Sequence, residues 1–393
     1  MIYLTCTFKS NFFCMKRYLL LLIIFTTTLF SQTQYELINS DRLGERELKI
    51  QLPRNYADNT EQFYPLIITM DGDYLFEITA GNVDYMSYWD DIPEAIVVGI
   101  NQDSTKEDDL YISKEDFFPI KGGARFYEFL GAELVPYMIE NYRVGIFKVV
   151  IGHGDSANFI NFFAFKNSPL FQAYVSLSPT FSPFMKENLF ELISSNKKTL
   201  FYYLSTASED FRNNRTEILN LNERIQEIKS DKTLYKFDDF KQFDHYSLVS
   251  SSIPSSLQHI FNIYSPISRE EYKNVLLELD YSPVKYLEDK YQKIKDLFGI
   301  EKQILINDFR AVNAAIVKKN SPEFYKDLSK LARKNYPNSL LSSFYMGRYY
   351  ESVGSYKKAI KAYQESFTYD EIDEITKEEL LDRAEKLKLE NDY

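Results

Sequence analysis

The chain reads as an α/β protein: a mostly parallel sheet covered by helices on both faces, then a small all-α tail. Three observations carry this. Short continuous apolar runs recur between Tyr35 and Tyr264, separated by stretches with helical spacing; this is how buried parallel strands and their crossover helices are written. After Pro266 the composition turns to Lys, Glu, Leu and Tyr, with no further β-type runs. With 393 residues and 45% hydrophobic content, the chain can bury a sizeable core and predicts two or three domains.

Residues 1–31 stand apart from the fold. Lys16-Arg17 precede an apolar run from Tyr18 to Phe25, too short to span a bilayer, and Ser31 supplies a small residue near its end. This is the pattern of a secretory signal. The segment before Met15 adds nothing such a signal needs, so Met15 is a candidate true start. The expected location is periplasmic or secreted, with no transmembrane span in the mature chain. The only cysteines, Cys6 and Cys14, fall in this segment, so the mature chain has no disulfide, cysteine zinc site or thiol nucleophile. His153, His245 and His259 are too few and scattered to suggest a metal centre, and no cofactor is expected. A net charge of -11 argues against nucleic acid as a partner.

The strands are expected in order. Leu48–Leu52 alternates and stops at Pro53, as an early antiparallel strand would. Pro65–Met70 is an apolar run stopped by Asp71-Gly72-Asp73, and Ala95–Ile100 is another. Helical spacing from Phe126 to Ile139 follows Gly122-Gly123. Lys148–Ile151 precedes a sharp turn and an apolar helix from Phe159, and Ala173–Leu177 and Leu200–Ser205 complete the set. The strand-bearing part is bounded at 35–265, a helical linker at 266–302 contains a helix over Pro283–Phe298, and helical repeats occupy 303–393. In the last part Met346-Gly347, Tyr350, Gly354, Tyr356, Ala359 and Tyr363 are spaced for two helices meeting through Gly347 and Ala359. That spacing resembles a tetratricopeptide repeat, which implies either a groove for a protein partner or structural packing.

One family resemblance is specific. Gly122-Gly123-Ala124 through Glu133-Leu134-Val135-Pro136-Tyr137, Glu140–Arg143, and Val149-Val150-Ile151-Gly152-His153 resemble the esterase family that includes ferric-siderophore esterases, S-formylglutathione hydrolases and mycolyltransferases. Asp71–Tyr74, Ile92–Ile100 and Asp244-His245 also fall where that family has them, and the likeness covers roughly residues 36–263. It implies the α/β-hydrolase fold, with a nucleophile on a strained turn between a core strand and the next helix.

The family's turn reads Gly-His-Ser-x-Gly-Gly. Here the string is Gly152-His153-Gly154-Asp155-Ser156-Ala157-Asn158, so a gapless alignment puts Gly154 at the nucleophile position, where no oxygen can attack an ester. A rival reading shifts the turn two residues and makes Ser156 the nucleophile of a Gly-Asp-Ser-Ala elbow. Otherwise Ser156 caps the helix or faces the core. The resemblance further implies His245 as the general base, Glu209 or Asp210 as the acid orienting it, with Glu209 slightly preferred, and oxyanion N–H groups near Gly72, Asp73 and Asp155. The expected function is therefore an exported esterase-like domain that binds an ester-like or anionic small ligand with little or no catalysis. The alternative is an active carboxylic-ester hydrolase using Ser156, His245 and Glu209 or Asp210. A third reading is a structural or interaction protein with its site filled by Tyr and Phe.

Overall fold

The computed structural model describes residues 33–228, 230 and 232–392; the expected signal segment lies outside them. Eight strands form one sheet: β1 Thr33–Ser40, β2 Gly44–Gln51, β3 Tyr64–Thr69, β4 Ile96–Ile100, β5 Val144–His153, β6 Ala173–Leu177, β7 Leu200–Glu209 and β8 Thr233–Asp244. Their spatial order is β1-β2-β4-β3-β5-β6-β7-β8. The first two strands are antiparallel to their neighbours, and every pairing from β4–β3 onward is parallel. Every residue of β3, β4 and β6 is buried, as continuous apolar runs between two helical layers require.

The first crossover helix, α1 (Gly72–Tyr88), starts directly off β3. Asp71 makes the turn at φ 51. Gly72 lets the helix lie on β4: a Cβ there would meet Gly99 C and Ile100 N at 2.7 Å. A short α2 (Lys106–Asp109) follows. The helix expected over 126–139 is present but broken into α3 (Gly122–Phe129), a π-helical turn at Leu130–Leu134 and α4 (Val135–Asn141). Pro136 at the start of α4 lacks an N–H for the helical ladder, and a widened turn precedes it.

Next come α5 (Asp155–Phe159), α6 (Met185–Ser195), α7 (Arg212–Gln226) and α8 (Val249–Phe261). The tail supplies α9 (Arg269–Asn274), α10 (Pro283–Phe298), α11 (Ile306–Lys319), α12 (Tyr325–Asn335), α13 (Leu341–Ser352), α14 (Tyr356–Gln364) and α15 (Lys377–Glu390). The linker helix occupies the expected Pro283–Phe298. Gly347 on α13 and Ala359 on α14 sit at their helix contact, where a Cβ on Gly347 would meet the Tyr363 ring.

The sheet has a core on each face. One buries Leu66, Ile68, Val98, Val150, Tyr174 and Tyr202 under α3, α4, α6 and α7. The other begins with Ile67, Val97, Phe147, Val149, Val175 and Phe201, and runs without a break into the tail through Leu287, Ile294, Phe298, Phe309, Leu328 and Tyr345. The Phe147 ring meets Phe298 edge-on at 4.9 Å and Phe201 at 5.7 Å. The tail is therefore built onto the sheet rather than tethered to it.

Candidate active site

The site forms where β5 ends. Gly154 follows His153 at φ 63 and ψ -118 and opens α5. A side chain rarely adopts this backbone conformation, whereas glycine takes it freely. The corner is tight: a Cβ on Gly152 would lie 2.6 Å from Ser156 C, so strand and helix approach within contact of each other. A Cβ built on Gly154 would lie 3.6 Å from Nε2 of His245. Of the candidate positions, Gly154 is thus the one that faces the imidazole.

His245 stands just beyond β8. Its Nδ1 lies 3.0 Å from Oδ1 of Asp210 and 2.9 Å from Oγ of Ser178. Asp210 in turn accepts from Ser178 Oγ at 2.6 Å, Thr206 Oγ1 at 2.7 Å and the Phe211 N–H at 2.8 Å. Burial works to raise the Asp210 carboxyl, but the hydrogen bonds from His245, Ser178 and Thr206 outweigh it and hold the group below the ordinary carboxylate value. An ionised Asp210 can only accept, so Nδ1 of His245 carries the proton and its Nε2 lone pair is directed to the space above Gly154.

Both faces of that imidazole are clamped. His153 lies at 4.4 Å between ring centroids and Phe211 at 4.3 Å. His153 is fixed in its own tautomer. Its Nε2–H donates to the His245 carbonyl at 2.8 Å, and the Tyr74 hydroxyl donates to its Nδ1 at 3.1 Å. Burial, reinforced by the neighbouring His245, lowers the His153 pKa to about 4. Tyr74, Phe211 and Tyr246 are 46%, 52% and 69% exposed, so the mouth of the site is framed by rings.

Ser156 is elsewhere. It lies in the first turn of α5, fully buried, and its hydroxyl donates to Oδ2 of Asp71 at 2.5 Å and accepts from the His153 N–H at 2.9 Å. Lys106 Nζ holds the other oxygen of Asp71 at 2.6 Å. The core-facing alternative for Ser156 therefore matches its contacts, and the structure does not bring it to His245. Nor does it bring Glu209 there: Glu209 is exposed at the end of β7, paired in register with Asp244, and the preference for it gives way to Asp210. After the irregularity between Ala207 and Glu209, the chain turns through the Asp210 N–H to Ala207 O bond and swings Asp210 inward. Gly72 and Asp73 open α1 and Asp155 opens α5, and first-turn N–H groups have no partner within their own helix.

His259 belongs to another place. Its Nε2–H donates to Leu234 O at 3.0 Å. It borders a cavity of about 810 Å³ with Lys236, Lys290 and Leu297; this cavity includes neither Gly154 nor His245. Among the described residues there is no cluster that could hold a metal ion. Sequence reasoning passed over Ser178, Thr206, Asp71 and His153 as site supports. His153 stood in the quoted motif and Asp71 in the block before α1, but their roles depend on contacts made across the fold.

Comparison with known proteins bears on the family and the fold. A family model described as Putative esterase matches residues 40–251. The chain belongs to that esterase family. A solved structure of an uncharacterised protein from Capnocytophaga ochracea is 30% identical, with a TM-score of 0.81, and the match covers 91% of this chain and 100% of that one. Such coverage takes in the helical tail. An IroE-like serine hydrolase from Shewanella oneidensis matches at 19% identity and TM-score 0.57 over 77% of this chain and 99% of its own. BES protein from Bacillus cereus matches at 23% and 0.51 over 61% and 97%. The last two share the fold. No curated protein matches the chain.

Proposed function

We propose that this esterase-family chain is an exported protein whose site binds an ester-like or anionic small ligand and, with Gly154 at the nucleophile position, lacks the covalent route of its relatives. The observation that carries the reading is the pairing of a glycine at the strand-to-helix corner with an intact His245–Asp210 pair facing it, the Cβ position lying 3.6 Å from Nε2. The Ser156 alternative is disfavoured because that hydroxyl is committed to Asp71. Export rests on the N-terminal pattern alone. None of the described helices is long and apolar enough to cross a membrane. The tail, proposed as tetratricopeptide-like, adds α10 to the cover that α1 and α8 give the sheet's second face and offers a surface for a protein partner.

Gly154→Ser tests the reading. In a folded variant, short acyl esters should be hydrolysed at least about 10²-fold faster than by the wild type, as expected when a nucleophile rejoins its base. Brisk turnover by the wild type that disappears in Ser156→Ala would refute it.

A further inference from the structure

The retained pair is held from several sides. His245 is sandwiched between His153 and Phe211, and Ser178 and Asp210 both engage its Nδ1. Such restraint is unneeded for a residue that only fills space. The other ring nitrogen faces the place that a serine Cβ would occupy, where an added Cβ would meet only the His245 ring within 4 Å. A water there has the Nε2 lone pair to receive its proton. α5 begins at the residue after Gly154, so the N–H of Asp155 is the nearest backbone donor in sequence for a developing oxyanion. Around this point the exposed rings are Phe211, 4.3 Å from the imidazole, Tyr246 at 5.0 Å, and Tyr74 against His153. They offer flat apolar faces to a planar group.

We infer that the site hydrolyses esters of phenols directly with water, without an acyl-enzyme; this rests on the placement of Gly154 proposed above. Nε2 of His245 takes a proton from water as the water oxygen bonds to the ester carbonyl carbon. The carbonyl π pair moves to its oxygen, for which the N–H groups of Asp155 and Asp73 are the assigned donors. Collapse re-forms the C=O bond and breaks the bond to the aryl oxygen, which leaves with that electron pair. The imidazolium returns its proton to the phenolate. One water and one ester become one carboxylic acid and one phenol, and the protein ends unchanged. The preference for phenols follows from the chemistry: a site that cannot divide the reaction into two covalent steps depends on a leaving group that departs without full protonation.

The test uses the full mature chain with matched p-nitrophenyl and ethyl esters, a rapid-mixing measurement and a fluorophosphonate probe for activated serines. The expected result is slow turnover of the aryl ester, about 10³- to 10⁴-fold above the uncatalysed rate, with no burst and no label. His245→Ala should reduce it about 10²-fold or more, and the ethyl ester should be turned over more slowly than the aryl ester. A burst, or label on Ser156, would overturn the inference; both are read on the wild type, so neither requires a variant to fold. A wild type no faster than His245→Ala, beside an active and labelled Gly154→Ser, would sink the water route alone. A folded Gly154→Ser as inert as the wild type would sink the ester-pocket reading with it.

Discussion

At the scale of single residues, two positions set what the site can do and how it responds to solution conditions. Gly154 sits at φ 63, so a serine placed there must hold a strained backbone. Gly154→Ser should therefore cost about 1–3 kcal/mol of stability, measured by urea denaturation, even as it supplies an oxygen. His153 gives a pH dependence. Its pKa falls from 6.5 to about 4 in the folded protein, so between those values the unfolded chain binds the extra proton and stability rises with pH. From pH 7 down to pH 4 this group alone should remove about 3 kcal/mol, and His153→Gln should flatten that part of the denaturation profile. Gly154 and His245 were readable because each sits in a short motif with a defined register. Choosing between Glu209 and Asp210 was not possible from spacing. Adjacent residues at a strand end point opposite ways, and a local irregularity in β7 decides which one turns inward.

Among the elements, the buried strands were legible because unbroken apolar runs such as Leu66-Ile67-Ile68 have no other stable place than between two helical layers. β8 was not legible in this way. Its sequence TLYKFDDFKQFD mixes rings with charges and it lies mostly half-buried at the sheet edge, so it carries no continuous run. The break within 122–141 was also hidden, since the apolar spacing continues across the π turn. Two glycines of α1 make opposite predictions. Gly72→Ala drives a methyl into the backbone of β4 at 2.7 Å and should destabilise by about 1–3 kcal/mol or more. Gly81→Ala in the same helix meets nothing within 4 Å and should stabilise by about 0.5–1 kcal/mol. Thermal melts of the two variants, run in parallel, compare them directly.

For the molecule as a whole, the boundary near Pro266 is a change of composition but not of core. Each tail helix announces an apolar stripe without saying what the stripe faces, and here that of α10 faces the sheet itself: Leu287, Ile294 and Phe298 join the core of Phe147 and Phe201, with Phe298 against both rings. Calorimetry should accordingly show sheet and tail unfolding in one transition; two well-separated peaks would contradict the shared core. A chain ending at Tyr264 should aggregate, because it uncovers an aromatic floor in one stroke. There is a consequence for the order of events as the polypeptide is made. The strands come off the ribosome first, and on one side of them α1 and α8 supply most of the cover, leaving the floor around Phe147 to be closed only when α10 has emerged. The aromatic corner of Phe147 and Phe201 is thus the last part of that core to be sealed, by Phe298 near the start of the chain's final third.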